Sequence, residues 1–242
     1  MLSALLDLVF APICLGCDSS IAPGDSARLV CRRCRTRLRP PPPPFCARCG
    51  APLRATGREP QHYGCPECAS WPETLALARA ACLLQPPADR LVHQLKYRGW
   101  RALAAPLALN IAHITWPADA HEPALIVPVP TTTKRIRERG YNQAQLIAQE
   151  LATATARSMQ PLLRRVTGAR TQTTLQPAAR AANVAGAFVV HGDVAGAHVL
   201  LVDDVLTTGA TAAECARVLA GTGACCIRLV TFARAFDIRE LA

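Results

Sequence analysis

The chain has 242 residues, half of them hydrophobic, enough to bury a substantial core, so disorder is not its default state. No uninterrupted apolar run reaches the 18 or so residues that a membrane-crossing helix needs. The formal net charge of +10 suits polyanionic ligands but specifies none.

Met1 to Phe10 is apolar but short, lacks a basic leading region and carries Asp7. Leu15-Gly16-Cys17 loosely matches a lipoprotein cleavage site, but the signal peptide such a site requires is missing from the pattern. The expectation is a cytoplasmic protein.

Cysteine is the strongest compositional signal. Eight of the 12 cysteines form four Cys-x-x-Cys pairs: Cys14/Cys17, Cys31/Cys34, Cys46/Cys49 and Cys65/Cys68. A Cys-x-x-Cys turn brings two sulfurs to one tetrahedral metal, and a second turn closes the site. The intervals between pairs suit short hairpins, whereas a secreted disulfide scaffold rarely repeats one tight spacing four times. Pro40 to Pro44 separates the two units and favours an extended spacer, so sequential pairing is expected, with one zinc on each side. Four thiolates leave no open coordination position, which makes both sites structural, and the metal should supply much of the folding free energy of such small units. Arg28, Arg32, Arg33, Arg35, Arg37 and Arg39 crowd the second pair, either to meet nucleic acid or to offset thiolate charge. Nine Arg against five Asp or Glu give residues 1–70 a charge of +4, which two zinc-thiolate sites would cancel. The basic excess then lies in the rest of the chain. The remaining cysteines, Cys82, Cys215, Cys225 and Cys226, sit in apolar contexts and read as core residues. A ribbon domain over residues 1–72 and a second domain over residues 73–242 follow.

In the second domain, Leu125 to Val129 reads as a buried strand. Thr131, Thr132, Thr133 and Lys134 follow it, and the basic run continues through Arg135, Arg137 and Arg139. Those arginines could bind phosphate, a nucleic-acid backbone, or only solvent. A helix is predicted from Gly140 to about Ala156, with Ala144, Ile147, Ala148 and Leu151 inward. The stretch from Arg164 to Phe188, with Arg165, Arg170, Thr171, Gln172, Arg180 and Asn183, reads as a closing loop or a plain surface connection.

Residues 199–211 read Val-Leu-Leu-Val-Asp-Asp-Val-Leu-Thr-Thr-Gly-Ala-Thr. Val199 to Val202 suits a strand buried on both faces of a parallel sheet, with Asp203 and Asp204 emerging at its carboxyl end. Paired carboxylates can accept hydrogen bonds from vicinal ribose hydroxyls. Thr207, Thr208, Gly209, Ala210 and Thr211 supply hydroxyls, clustered N–H groups and a helix start on which a phosphate sits well. This segment resembles the phosphoribosyl-diphosphate (PRPP) motif of type I phosphoribosyltransferases over all its positions. The resemblance implies an α/β fold, a parallel sheet flanked by helices behind a cysteine-rich double zinc ribbon. It also implies that Thr131 to Lys134 hold pyrophosphate and that magnesium accompanies PRPP.

The four cysteine pairs occur with Leu95-Lys96-Tyr97-Arg98-Gly99, Val127-Pro128-Val129-Pro130 and Arg139-Gly140-Tyr141-Asn142-Gln143. Thr171-Gln172, Leu175, Arg180 and Asn183 complete the set. In that order they resemble the competence protein F (ComF) family of bacterial phosphoribosyltransferase-like proteins. The resemblance implies work in natural transformation, handling of incoming single-stranded DNA, and a competence helicase as partner. Three readings stay open. They are a DNA-handling protein with a working PRPP site, an active transferase with an unidentified acceptor, and an adaptor that docks a helicase. Aromatic residues are only 5% of the chain, which argues against an extended stacking platform.

Overall fold

The computed structural model describes residues 12–22, 25, 27–53, 65–118, 123–166 and 185–236. Its centre is a five-stranded, all-parallel sheet. The strands are β1 (Leu75–Leu83), β2 (Leu125–Pro128), β3 (Ser158–Met159), β6 (His198–Leu206) and β7 (Cys226–Arg234), in the order β1-β7-β6-β2-β3. β4 (Leu163–Arg165) and β5 (Phe188–Val190) form a separate antiparallel pair. The helices are α1 (Arg32–Arg37), α2 (Ala88–Tyr97), α3 (Ala104–Ala112), α4 (Thr133–Arg139), α5 (Gln143–Thr155) and α6 (Ala210–Gly221).

Both faces of the sheet are covered, which is why its central strands read as continuous apolar runs. On one face Val199, Leu201, Ile227 and Leu229 pack with Ala212, Cys215, Ala216 and Leu219 of α6. On the other, Leu200, Val202, Val230 and Phe232 pack with α2, α3 and α5 through Leu91, Leu107 and Ile147. Leu201 is fully buried, and truncating such a leucine to alanine typically costs about 2–5 kcal/mol.

The ribbons grip the sheet from both sides. Cys14, Leu15, Val30 and Cys34 of the first belong to the α2–α3 core, while Cys49, Cys68 and Trp71 of the second belong to the α6 core. The chain between them runs along the free edge of β1. Ala78 donates its N–H to Arg48 O at 2.8 Å, and Leu83 donates to Arg39 O at 3.0 Å. The segment from Arg39 to Arg48, which contains the proline run, is thus anchored to that edge at both ends and shields strand groups that would otherwise invite pairing with another chain. Arg48 ties the second ribbon down by donating to the carbonyls of Cys68, Trp71, Pro72 and Leu75. Arg234, 1% exposed, donates to Cys49 O at 2.9 Å.

Several expectations need correction. β6 runs on through Leu206, so Asp203 and Asp204 lie within the strand and not beyond it. The strand keeps going because β7 is equally long and pairs with it as far as Leu206↔Arg234. Cys82 and Cys215 are core residues, but Cys225 is exposed and Cys226 half-buried, since the first precedes β7 and the second is its opening residue. Arg170, Thr171, Gln172, Leu175, Arg180 and Asn183 lie outside the described residues.

Candidate functional site

The strand order reverses between β2 and β6. β2 is followed outward by β3, while β6 is followed in the opposite direction by β7. Ligands of open α/β sheets bind at the carboxyl ends of strands at such a switch point. A cleft of about 530 Å³ opens there, lined by Val129, Pro130 and Thr131 after β2 and by Asp203, Asp204, Thr207 and Thr211 from β6 onward. Lys96, Arg135, Arg139 and Arg165 also line it, against the carboxylates of Asp89, Asp203 and Asp204. Four fixed cations around three acids suit a polyanion.

The two acids differ in their surroundings. Asp204 is 7% exposed and pairs with Lys96, Nζ to Oδ1 2.8 Å. Asp203 is half-buried and accepts the N–H of Asp204 at 2.8 Å. Burial, then the neighbouring Asp204 charge, pushes its pKa up to about 7, with Lys96 and Arg135 pulling the other way. An ionised Asp203 therefore has unmet demand for donors or a cation.

Beyond β6 the chain turns into α6 at Gly209, which takes the left-handed conformation with φ 74°. The N-cap Gly209 has no side chain to bond this helix start; Thr208 Oγ1 accepts the Ala210 N–H at 3.4 Å, and the N–H groups of Thr211 and Ala212 remain for an anion. Trp71, at the end of the second ribbon, packs on this turn and donates Nε1–H to Thr208 O at 3.3 Å. A Cβ at Gly209 would come within 2.3 Å of the Trp71 ring, so glycine is required there for space as well as conformation.

On the opposite wall Thr132 caps α4, accepting the Arg135 N–H at 3.2 Å. Of the expected pyrophosphate segment, Thr131 lines the cleft, whereas Thr133 and Lys134 belong to the exposed first turn of α4. Arg135 and Arg139 reach the cleft and Arg137 does not line it. Arg139 donates to Gln143 Oε1 at 3.1 Å, and Gln143, 2% exposed, also lines the cleft with Nε2 lacking a partner among the described residues. A buried amide donor left unmatched is a site for a ligand acceptor.

Lys96, Gln143, Arg165 and Trp71 were not assigned roles from sequence. Lys96 and Gln143 stood inside quoted motifs, which was the available signal. Arg165 comes in on the β4–β5 pair and Trp71 from the ribbon, and neither approach is visible in local spacing.

The cysteines form two compact sets, Cys14, Cys17, Cys31, Cys34 and Cys46, Cys49, Cys65, Cys68, with the sulfurs of each within 4.8 Å of one another. Sulfur separations are 3.7 Å for Cys17–Cys31, 3.9 Å for Cys46–Cys68 and 3.8 Å for Cys49–Cys65. Four thiolates around one zinc at about 2.3 Å stand about 3.8 Å apart, so the sets fit tetrahedral zinc and the pairing is sequential. Backbone N–H groups of Gly16 and Cys31 point to Cys14 Sγ at 3.4 and 3.2 Å, as thiolates require.

The sheet, the switch-point cleft and the acidic pair define a phosphoribosyltransferase-like protein. The phosphoribosyl transferase domain family matches residues 136–239, and the double zinc ribbon domain family matches residues 5–69. The chain is 32% identical over 191 residues to DNA utilization protein YhgH of Salmonella typhimurium, covering 76% of this chain and 82% of the relative. It is 29% identical to competence protein F of Haemophilus influenzae over 220 residues, 85% of this chain and 90% of that one. With competence protein ComFC of Bacillus subtilis it shares 26% identity over 226 residues, again 90% of the relative. The chain belongs to the ComF family. Among the described residues no helix is long and apolar enough to cross a membrane.

Proposed function

We propose that the cleft binds PRPP with magnesium and that the protein handles single-stranded DNA in its uptake or use, in the cytoplasm. The observation that carries the PRPP reading is the half-buried Asp203 beside a helix start with a glycine N-cap, with unmatched Gln143 Nε2 on the facing wall. The Asp203 and Asp204 carboxylates accept the ribose hydroxyls, and the ion pair with Lys96 holds the second acid in place. The N–H groups and hydroxyls of Thr207, Thr208, Gly209, Ala210 and Thr211 receive the 5′-phosphate. Thr131, Arg135, Arg139 and Arg165 face the diphosphate, and magnesium would offset its charge beside Asp203. The DNA reading draws support from the names of the relatives and from the exposed arginines of α4. A competence helicase as partner is an extension of the same reading.

Calorimetry with PRPP and magnesium tests it. Removing a hydrogen bond to a charged group costs about 1.5–3 kcal/mol, so Asp203→Asn and Asp204→Asn should each weaken binding roughly 10- to 150-fold. Undiminished binding by both folded variants would reject the placement of the ribose. Pyrophosphate release in the presence of candidate bases or DNA ends would make the protein an active phosphoribosyltransferase. Binding without turnover makes PRPP a regulatory ligand.

A further inference from the structure

The chain has three Trp, three Tyr and five Phe, and the fold keeps few of them in water. Among the described residues the exposed ones are Phe45, Tyr97 and Trp100, with Tyr97 at 62% and Trp100 at 44%. Two of these three, Tyr97 and Trp100, stand three residues apart, and the first belongs to the rim of the cleft. Tyr97 ends α2 and lines the cleft beside His93, whose ring centroid is 5.1 Å from its own. Gly99, with φ 74°, then turns the chain and leaves Trp100 exposed.

This rim is locked to the basic end of α4. The Arg139 guanidinium lies 4.8 Å over the Tyr97 ring, and that of Arg101 lies 4.7 Å over Tyr141. Arg101 also donates to Gly140 O at 3.4 Å. Arg98, Arg101, Arg135 and Arg137 are all exposed here, while the acid nearby, Glu138, already faces Lys134 at 3.9 Å. Single exposed aromatics are ordinary. Two such rings among four exposed arginines, beside a polyanion cleft, match the needs of a ligand with flat apolar faces and a charged backbone.

We propose that Tyr97 and Trp100 form a short base-stacking shelf for a single-stranded nucleic acid. Arg98 and Arg137 hold its phosphates, and an unpaired nucleotide is delivered to the mouth of the cleft. The proposal rests on the single-stranded DNA reading and gives it an address. A duplex hides its base faces, so a stacking shelf selects unpaired strands without reading sequence. Arg139 holds the Tyr97 ring from one side, which limits the ordering cost when a base arrives. The scarcity of aromatics noted in the sequence excludes a long platform, but not a two-ring shelf.

The test uses full-length, zinc-loaded protein with a labelled oligothymidylate, the matching duplex, and PRPP. Stacking losses of about 1–3 kcal/mol per base predict that Tyr97→Ala and Trp100→Ala each weaken oligothymidylate binding by about 5- to 150-fold. Tyr97→Phe and Trp100→Phe should restore it, because the ring face is retained. Quenching of tryptophan fluorescence on binding should disappear in Trp100→Phe. Trp100→Ala should leave PRPP affinity and the salt dependence of DNA binding unchanged, whereas Arg98→Ala should lower the log–log salt slope by roughly 0.7. Tight binding by both folded alanine variants, or quenching that persists in Trp100→Phe, overturns the shelf while the DNA reading stands. If wild type binds no single strand, the DNA reading fails and takes the shelf with it.

Discussion

The indole Nε1–H of Trp71 bonds the carbonyl oxygen of Thr208 at 3.3 Å, joining the zinc-ribbon segment to the turn that starts α6. The backbone N–H of Trp71 in turn bonds Cys68 O at 3.1 Å, so a cysteine-pair turn and the turn that starts α6 share one residue. Trp71→Phe keeps most of the ring but loses the N–H, and should weaken PRPP binding several-fold through a looser loop. Gly209→Ala adds both a clash with the ring and a strained φ, so it should cost more, about 1–3 kcal/mol of stability with a larger loss of affinity. Calorimetry beside thermal melting separates the two effects. Wild-type affinity in both variants would show the contact to be incidental.

The two zinc sites should not be equivalent toward the cleft. Cys65→Ser breaks the set whose chain leads directly to Trp71, and should lower both the zinc content, from two ions to one, and PRPP affinity. Cys17→Ser breaks the set on the other face, and should lower zinc content with a smaller change in affinity. Elemental analysis with parallel calorimetry tests this. Equal losses of affinity would mean that the ribbons act only through global stability.

Asp203 should make both stability and the proposed PRPP binding depend on pH. Its folded pKa of about 7 lies above the unfolded value near 3.9, so the folded state holds an extra proton between them. The contribution of this group is greatest below pH 4 and is lost as pH rises toward 7. Asp203→Asn should therefore stabilise the ligand-free protein at pH 8, by about 1–4 kcal/mol, with the gain vanishing near pH 4. Binding of PRPP with magnesium needs the ionised form and should tighten from pH 6 to 8 with release of a proton. The part of this dependence due to Asp203 should be absent in Asp203→Asn, leaving only that of the ligand phosphates. A stability gain that does not change with pH would place the proton elsewhere.

Much of this was legible locally. The four cysteine pairs reported both metal sets, because a Cys-x-x-Cys turn fixes its own sulfurs. The run from Val199 to Thr211 reported strand, acids and helix start, since each depends on near neighbours. What escaped were contacts set by the topology. Lys96 meets Asp204 from a helix more than 100 residues earlier, and Trp71 reaches Thr208 across a comparable separation. The strand beyond Val202 was missed for a related reason, because β7 carries β6 past the point where its apolar run stops. Surface and cleft arginines of α4 looked alike in sequence, and only the helix orientation divides them.

That division gives the sharpest test of the basic run. Arg135 and Arg139 line the cleft, whereas Arg137 is exposed and outside its lining. If DNA tracks along the outer face of α4, Arg137→Ala should weaken oligonucleotide binding and lower the salt slope by roughly 0.7, leaving PRPP affinity unchanged. Arg135→Ala should weaken both ligands, since its charge lines the cleft and also favours the ionised form of Asp203. Arg139→Ala should do the same and additionally release Gln143 and Tyr97, which it holds by a hydrogen bond and a ring contact. Saturating PRPP with magnesium should then erase the effect of Arg135→Ala on DNA binding but not that of Arg137→Ala, because only the first is occupied by the small ligand. Salt titrations of the three variants, with and without PRPP, measure this. If none of the three changes DNA affinity or its salt slope, the strand does not track along α4, and the arginines around Cys31 become its next candidate contact.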